Sequence, residues 1–169
     1  IFGREAGGLI RPYKMDGVDT VVIALGSVLG TIKETIDELE EAGHKIGVLG
    51  ITSFRPFPLE PICAALAGVK TVIVVEKCFA VGIGGIVATN VRMALDGSGQ
   101  EVRTVVAGLG GRAVTKDSLA RILVEAKAGN IEPLTFLDLD HGIVNRVIER
   151  ERRIRRSGPI AETVLRDVG

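Results

Sequence analysis

Residues 105–115, VVAGLGGRAVT, carry the signals that decide the fold of this chain. Two valines end an apolar run, glycines follow at three of the next four positions after Ala107, and Thr115 precedes apolar residues at helical spacing. This order predicts a buried strand, a tight turn and a helix capped by a threonine. Because glycine-rich turns between strand and helix also bind phosphate, the stretch raises the question whether the chain holds a nucleotide.

The same strand–turn–helix order occurs three more times. Short apolar runs predict buried strands at residues 20–25, 45–51, 70–75 and 101–107. Helices are predicted from Thr31 to Gly43 and over residues 58–66, 85–95 and 115–128. Alternating strands and helices predict a mostly parallel sheet with helices on both faces, a three-layer α/β/α sandwich. Residues 9–13 are a candidate edge strand.

The composition excludes several classes of protein. With 46% hydrophobic residues in 169, the chain can bury a sizeable core and is not disordered. Its 21 basic residues balance its 21 acidic residues, and aromatic side chains are scarce, so neither a nucleic acid nor a membrane is expected as partner. No apolar run is long enough for a membrane span, and no signal peptide opens the chain, which predicts a cytoplasmic location.

The cysteines are few and widely spaced. Cys63 and Cys78 do not form a CxxC pair, and we expect both to be small buried hydrophobic residues. An iron–sulfur cluster normally needs four thiolates, so this chain is not expected to hold one alone, and no metal site is predicted. Residue 1 is Ile, which leaves open whether it is a native start, a proteolytic end or the boundary of a longer protein.

Four loops follow the carboxyl ends of the predicted strands, where open α/β sheets bind ligands. The loop after residue 25 lacks the GxGxxG spacing, and the chain contains no GxxxxGK[ST] motif. In the loop FRPFP at residues 54–58, Arg55 is a candidate contact to an anion or a partner subunit. Glu76 ends a strand before a glycine-rich turn and is a second candidate. For that turn, tight packing against a partner is favoured over a small-anion site.

The fourth loop is the opening stretch. Gly108, Gly110 and Gly111 permit positive φ, and Arg112 is a further candidate contact at an interface or with an anion. No lysine is placed to clamp a phosphate there, and no carboxylate is placed to hold magnesium. The spacing reveals no Ser/His/Asp set, so no catalytic residue and no confident cofactor-binding residue is predicted.

The chain changes character towards its end. We predict a domain over residues 1–130 and an extension over residues 131–169 that contacts other subunits. Residues 146–156, RVIERERRIRR, contain six arginines. A solvated helix or subunit-contacting arm is favoured over a nucleic-acid patch, because the net charge is zero and no aromatic residues are interleaved.

These loops, in this order, resemble the 2-oxoacid:ferredoxin oxidoreductases, specifically the transketolase C-terminal-like domain of the pyruvate:ferredoxin oxidoreductase α subunit. The resemblance spans residues 10–127 and depends on the pairing of RPFP (residues 55–58) with AGLGGR (residues 107–112). The family commonly has an acid after GLGGR, where this chain has Ala113.

The resemblance implies a five-stranded sheet with one antiparallel edge strand, for which residues 9–13 are the candidate. It also implies a complex that converts a 2-oxoacid, by default pyruvate, and coenzyme A to acyl-CoA, CO₂ and reduced ferredoxin. Thiamine diphosphate, Mg²⁺ and iron–sulfur clusters would lie in the complex and not in this chain alone. Implied partners are the thiamine-binding domain, the β, γ and ferredoxin-like subunits, and ferredoxin or flavodoxin as acceptor, in anaerobic metabolism.

This chain would then be a non-catalytic assembly domain, inactive in isolation. Two alternatives stay open at this point: the C-terminal domain of another thiamine-dependent enzyme, and a free-standing flavodoxin-like nucleotide-binding module. The latter would use GIGG or GLGG as an anion cradle.

Overall fold

The computed structural model describes residues 8–153. Six strands form one sheet in the order β1-β3-β2-β4-β5-β6. The strands are β1 (Ile10–Tyr13), β2 (Thr20–Leu25), β3 (Gly47–Ile51), β4 (Thr71–Glu76), β5 (Glu101–Val106) and β6 (Leu134–Phe136). The helices are α1 (Val28–Glu41), α2 (Leu59–Ala65), α3 (Ile86–Ala94), α4 (Lys116–Lys127) and α5 (His141–Arg153). All strand pairs are parallel except β1 with β3, so the predicted antiparallel edge strand is present.

The strands β2, β3 and β4 are buried on both faces, and this produces two cores. In β2, Val22 and Ala24 face the layer formed by α1 and α4, whereas Val21 and Ile23 face the layer formed by α2 and α3. Because side chains alternate along a strand, an unbroken apolar run fills both layers at once. The predicted three-layer α/β/α sandwich is therefore confirmed.

The sheet has six strands where five were expected. The sixth, β6, pairs in parallel with β5 through Thr135 and Val105, in a segment expected to belong to the extension. The first compact unit accordingly continues to Asp138, beyond residue 130. β6 escapes prediction because it has only three residues and acidic neighbours on both sides, so it carries no clear apolar period.

Two helix starts show how local chemistry sets the boundaries. Thr115 caps α4 as predicted, since its Oγ1 accepts a hydrogen bond from the Ser118 backbone amide at 3.2 Å. Helix α1 begins at Val28, before the predicted start at Thr31. Gly26 turns the chain with a φ of 82°, and Ser27 already has α-helical angles although its side chain caps nothing.

The second unit begins at Leu139, and its described part is dominated by α5. The Asp140 carboxylate caps this helix by accepting from the Ile143 amide at 2.9 Å. The described side chains of α5 are exposed apart from a half-buried Val144. The arginine-rich segment predicted at residues 146–156 is thus helical up to Arg153, and its last three residues lie outside the described ones. No helix in residues 8–153 is long and apolar enough to cross a membrane.

Candidate functional site

The carboxyl ends of the parallel strands meet at one edge of the sheet and enclose a cleft of about 460 Å³. The chain leaves β2 towards one side of the sheet and β4 towards the other, so the gap between these two strands is a topological switch point. Residues 26–28, residues 76–78 and Gly108 line the cleft, each group at the end of one strand. The architecture therefore forms a pocket where this class of sheet usually binds ligands.

Glu76 lies in the wall of this cleft, but its carboxylate is engaged within the fold. Its two oxygens accept hydrogen bonds from the backbone amides of Val87 and Ala88, both at 2.9 Å. These are amides of the first turn of α3, which otherwise lack partners in a helix. The side chain is 6% exposed. Glu76 thus acts as the capping residue of α3, supplied by a strand instead of by the preceding loop.

Gly85 makes this arrangement possible. A Cβ at this position would overlap the Glu76 carboxylate and lie 2.6 Å from its Cδ. Because Gly85 has a φ of −75°, its conformation is open to any residue, and the need for glycine is one of space. The GIGG segment therefore admits the protein's own carboxylate to the start of α3, where the sequence alone left a bound anion open.

The loop between β4 and α3 carries a narrow apolar tip. Ala80 and Gly84 exchange two backbone hydrogen bonds, of 2.9 and 2.8 Å, which close a small hairpin. At its end Val81 is 91% exposed and Ile83 is 68% exposed. We call residues 81–83 the apolar tip. Two aliphatic side chains held outward on a closed turn form a small exposed apolar surface.

The base of the same loop is held by an aromatic contact. Phe79 packs edge-on against Phe136 of β6, with 5.1 Å between ring centroids. Together with the Glu76 bonds at the far end of the loop, this contact fixes both ends of the segment that carries the apolar tip.

The glycine turn after β5 satisfies its own backbone groups. Gly111 N–H donates to the Gly108 carbonyl and Arg112 N–H donates to the Leu109 carbonyl, both at 3.3 Å, in a 3₁₀ turn over Leu109–Gly111. Gly108, Gly110 and Gly111 all have positive φ, as their type allows. These two amides are thereby engaged within the turn, and VVAGLGGRAVT turns the chain tightly between β5 and α4.

The two candidate arginines lie at this edge but in different loops. Arg112 lines the cleft, and its guanidinium donates to the backbone carbonyl of Asp138. Arg55 lies beyond β3, where its guanidinium stacks on the Phe54 ring at 4.1 Å and donates to the Phe54 carbonyl at 2.9 Å. The structure thus brings Glu76, Gly108, Gly111 and Arg112 together at the cleft, whereas Arg55 and Gly110 do not line it.

Two lining residues were missed as candidates. Lys77 and Cys78 follow Glu76 at the mouth of the cleft, and both are exposed. The expectation that Cys78 is buried is wrong, because the strand ends at Glu76 and the next residues leave the sheet. Cys63 is half-buried, as part of the α2–α3 layer, and its thiol donates to the Ala94 carbonyl at 3.1 Å.

The described residues do not fit the cofactors that the resemblance implies for the complex. A thiamine diphosphate site needs oxygen ligands for its magnesium ion, and both oxygens of Glu76, the single acid among the lining residues, bind backbone amides. Within residues 8–153 no group of three or more His, Cys, Asp or Glu side chains is placed to hold a metal ion.

A cluster of polar and charged side chains between β1 and α1 contains three groups with shifted pKa values. Asp37 accepts hydrogen bonds from Lys14 Nζ at 2.5 Å and from the Tyr13 hydroxyl at 2.7 Å, and these bonds lower the pKa of its carboxyl. Hydrogen bonds to Asp37 and Glu40 raise the pKa of Lys14. The same Asp37 bond raises the pKa of Tyr13. This cluster ties the antiparallel edge strand to the first helix.

Comparison with curated proteins gives a consistent set of relatives. The pyruvate synthase subunit PorA of Methanosarcina barkeri is 38% identical over 146 residues, which covers 82% of this chain and 36% of the relative. The ketoisovalerate oxidoreductase subunit VorA of Pyrococcus abyssi is 33% identical over 128 residues, which covers 75% of this chain and 32% of the relative. This chain thus spans about a third of the length of the curated relatives it matches.

Two solved structures share the fold. A 2-oxoglutarate:ferredoxin oxidoreductase from Magnetococcus marinus superposes with a TM-score of 0.54 at 20% identity, over 72% of this chain and 20% of that one. A split-gene transketolase, solved as an inactive tetramer of beta subunits, superposes with a TM-score of 0.52 at 19% identity, over 70% of this chain and 41% of that one. These likenesses confirm the transketolase C-terminal-like architecture.

The match of a family model decides the assignment. The model of the pyruvate:ferredoxin oxidoreductase core domain II matches residues 18–119, from the start of β2 into α4 and therefore across every loop that lines the cleft. It covers more than half of the chain, and the expected resemblance is confirmed. The chain belongs to the pyruvate:ferredoxin oxidoreductase core domain II family.

Proposed function

We propose that this chain is a non-catalytic assembly domain of a multi-subunit 2-oxoacid:ferredoxin oxidoreductase. The complex would convert a 2-oxoacid, pyruvate in the first instance, and coenzyme A to acyl-CoA, CO₂ and reduced ferredoxin. Family membership and PorA and VorA relatives at 33–38% identity support the reaction class.

The apolar tip is the observation that carries the assembly role. Val81 and Ile83 expose large aliphatic surfaces on a turn that is fixed at both of its ends. Exposing such side chains on an ordered turn is unfavourable in water and becomes favourable when a partner covers them. We propose that they insert into the neighbouring thiamine-binding domain or subunit.

The rest of the machinery belongs to the partners in this proposal. Thiamine diphosphate with its Mg²⁺ and the iron–sulfur clusters would be held by the thiamine-binding domain and by the β and ferredoxin-like subunits, with a γ subunit completing the complex. Ferredoxin or flavodoxin would accept the electrons, and the assembly would work in the cytoplasm. Arg55 is proposed to make a polar contact at the edge of the interface, whereas Glu76 supports the apolar tip by fixing the start of α3.

An anaerobic co-purification tests this function. The chain is captured from its native lysate, bound subunits are identified by mass spectrometry, and the eluate is assayed for thiamine diphosphate, iron and pyruvate-dependent ferredoxin reduction. We expect a thiamine-binding subunit and an iron–sulfur subunit, with activity in the eluate and none in the chain purified alone. Turnover by the isolated chain, or its recovery as a monomer without any partner subunit, would contradict the proposal.

A further inference from the structure

The cleft at the sheet edge has the size and position of a small-molecule site. Its volume of about 460 Å³ lies within the range of pockets that enclose small ligands. It sits at the switch point between β2 and β4, the preferred ligand position in open α/β sheets. The proposed assembly role makes no use of the interior of this cleft.

The charges at its mouth favour an anion. Lys77, at the end of β4, forms no ion pair or hydrogen bond through its side chain with any residue in the described range. Arg112, after β5, donates to a neutral backbone carbonyl and keeps further guanidinium donors. Among residues 8–153, neither cation therefore has a carboxylate partner.

The acid in the wall does not offset these cations by direct contact. Both oxygens of Glu76 face the first turn of α3, whose positive end they bind. The Lys77 stem lies along Gly108, 4.0 Å from where a Cβ of that glycine would be. Lys77 therefore leans towards the glycine turn that ends at Arg112.

The remaining wall is mainly apolar. Val28, Val75 and Val87 line the cleft from three different elements. An apolar wall beside two cations matches a ligand with an organic body and a doubly charged anionic group. Phosphate is such a group, and arginine and lysine are its usual protein partners.

We infer that this cleft binds a phosphorylated small molecule, with the phosphate between Lys77 and Arg112 and the organic body against the three valines. The exposed thiol of Cys78 lines the same cleft, whereas Cys63 lies in the α2–α3 layer and serves as an internal reference. Occupation of the cleft can therefore be read from the rate at which Cys78 reacts with a neutral alkylating agent.

The test uses the full 169-residue chain, iodoacetamide and mass spectrometry, with phenyl phosphate as the minimal probe. Phenol and inorganic phosphate supply the two halves of the probe separately. We expect phenyl phosphate to slow alkylation of Cys78 at least threefold, roughly the effect of majority occupancy, and to leave Cys63 unchanged. Phenol and phosphate should each protect far less at the same concentration.

A matched pair of variants tests the role of the cation. Lys70 and Lys77 flank the two ends of β4, so Lys77→Gln and Lys70→Gln remove the same charge at opposite edges of the sheet. Lys77→Gln should raise the phenyl phosphate concentration needed for half protection about tenfold, as expected for a lost charged hydrogen bond, and Lys70→Gln should not. Absence of protection, equal protection by phenol or phosphate alone, or equal weakening by both variants would overturn the inference.

Discussion

Glu76 shows how a single residue can combine a structural role with a position in a cleft. The sequence places it correctly at the end of a buried strand, but the function of its side chain depends on amides 11 and 12 residues away. A usable signal exists: α3 is preceded by Gly84-Gly85, with no Ser, Thr, Asp or Asn at the cap position. A helix that begins without a local cap needs a partner from elsewhere in the fold.

Changes to this pair are expected to destabilise the fold. Gly85→Ala should lower the free energy of unfolding by about 3 kcal/mol, because the new methyl group overlaps the buried carboxylate. Glu76→Gln should cost about 1–3 kcal/mol, since the amide NH₂ cannot accept and one helix amide loses its partner. Denaturant unfolding measures both, with exposed Glu125→Gln as control. A Gly85→Ala variant as stable as the parent would contradict the proposed packing.

The Asp19 carboxylate is expected to make the stability of the fold depend on pH. Its carboxylate accepts from Lys127 Nζ and from the Thr20 hydroxyl, each at 3.0 Å, and these bonds lower its pKa. A lowered folded-state pKa contributes stability above the ordinary carboxyl pKa of about 3.9, and this contribution is lost as the pH falls through the lowered value. The pair is exposed, so the effect is small and weakens with salt.

The measurement compares thermal midpoints of the parent and Asp19→Asn between roughly pH 6 and pH 2.5, a window that brackets the ordinary Asp pKa. The difference should be largest at the upper end of this window and should shrink towards the lower end. A difference that grows as the pH falls would show that the sign of the linkage is wrong.

At the scale of elements, sequence reasoning succeeds where the signal is local. β2 and β4 are nearly continuous apolar runs, and Thr115 precedes an apolar period, so both could be read from neighbouring residues. The start of α1 and the existence of β6 could not be predicted from neighbouring residues. Ser27 does not cap its helix, and β6 exists through its pairing with β5, which is not a property of its own three residues.

The cap of α4 yields a prediction with a conservative control. Thr115→Ala should lower the free energy of unfolding by about 1 kcal/mol, because the Ser118 amide loses its acceptor. Thr115→Ser keeps an oxygen at the same place and should stay within a few tenths of a kcal/mol of the parent. Chemical denaturation distinguishes the two; equal losses would mean that the threonine methyl group, and not the cap, matters.

For the whole molecule, the fold class and family could be predicted because four repeated units and two paired loop motifs leave few alternatives. The candidate site was predicted less completely. Glu76 was found by its position at the end of a strand and Arg112 by its place after the glycine turn, whereas Lys77 and the exposed Cys78 were missed. Pairing and exposure at the end of β4 depend on how the chain leaves the sheet, which is set by distant contacts such as that of Phe79 with Phe136.

The assembly role rests on the apolar tip, and an exposed methionine on α3 provides a control position. Val81→Glu/Ile83→Glu places charges on the tip, while Met93→Glu places one on α3, where Met93 is 72% exposed. All three side chains are exposed, so neither variant should change the free energy of unfolding by more than about 0.5 kcal/mol. Any difference between the variants in assembly then reports on the interface and not on folding.

The most direct measurement is the yield of complex, together with pyruvate-dependent ferredoxin reduction, when each variant is captured anaerobically with its partner subunits. Charges buried at an interface without partners are strongly unfavourable, so Val81→Glu/Ile83→Glu should lower recovery of the thiamine-binding subunit at least tenfold, with activity falling in proportion. Met93→Glu should match the parent. Full recovery and full activity of the Val81→Glu/Ile83→Glu variant would show that the apolar tip does not hold the domain in its complex.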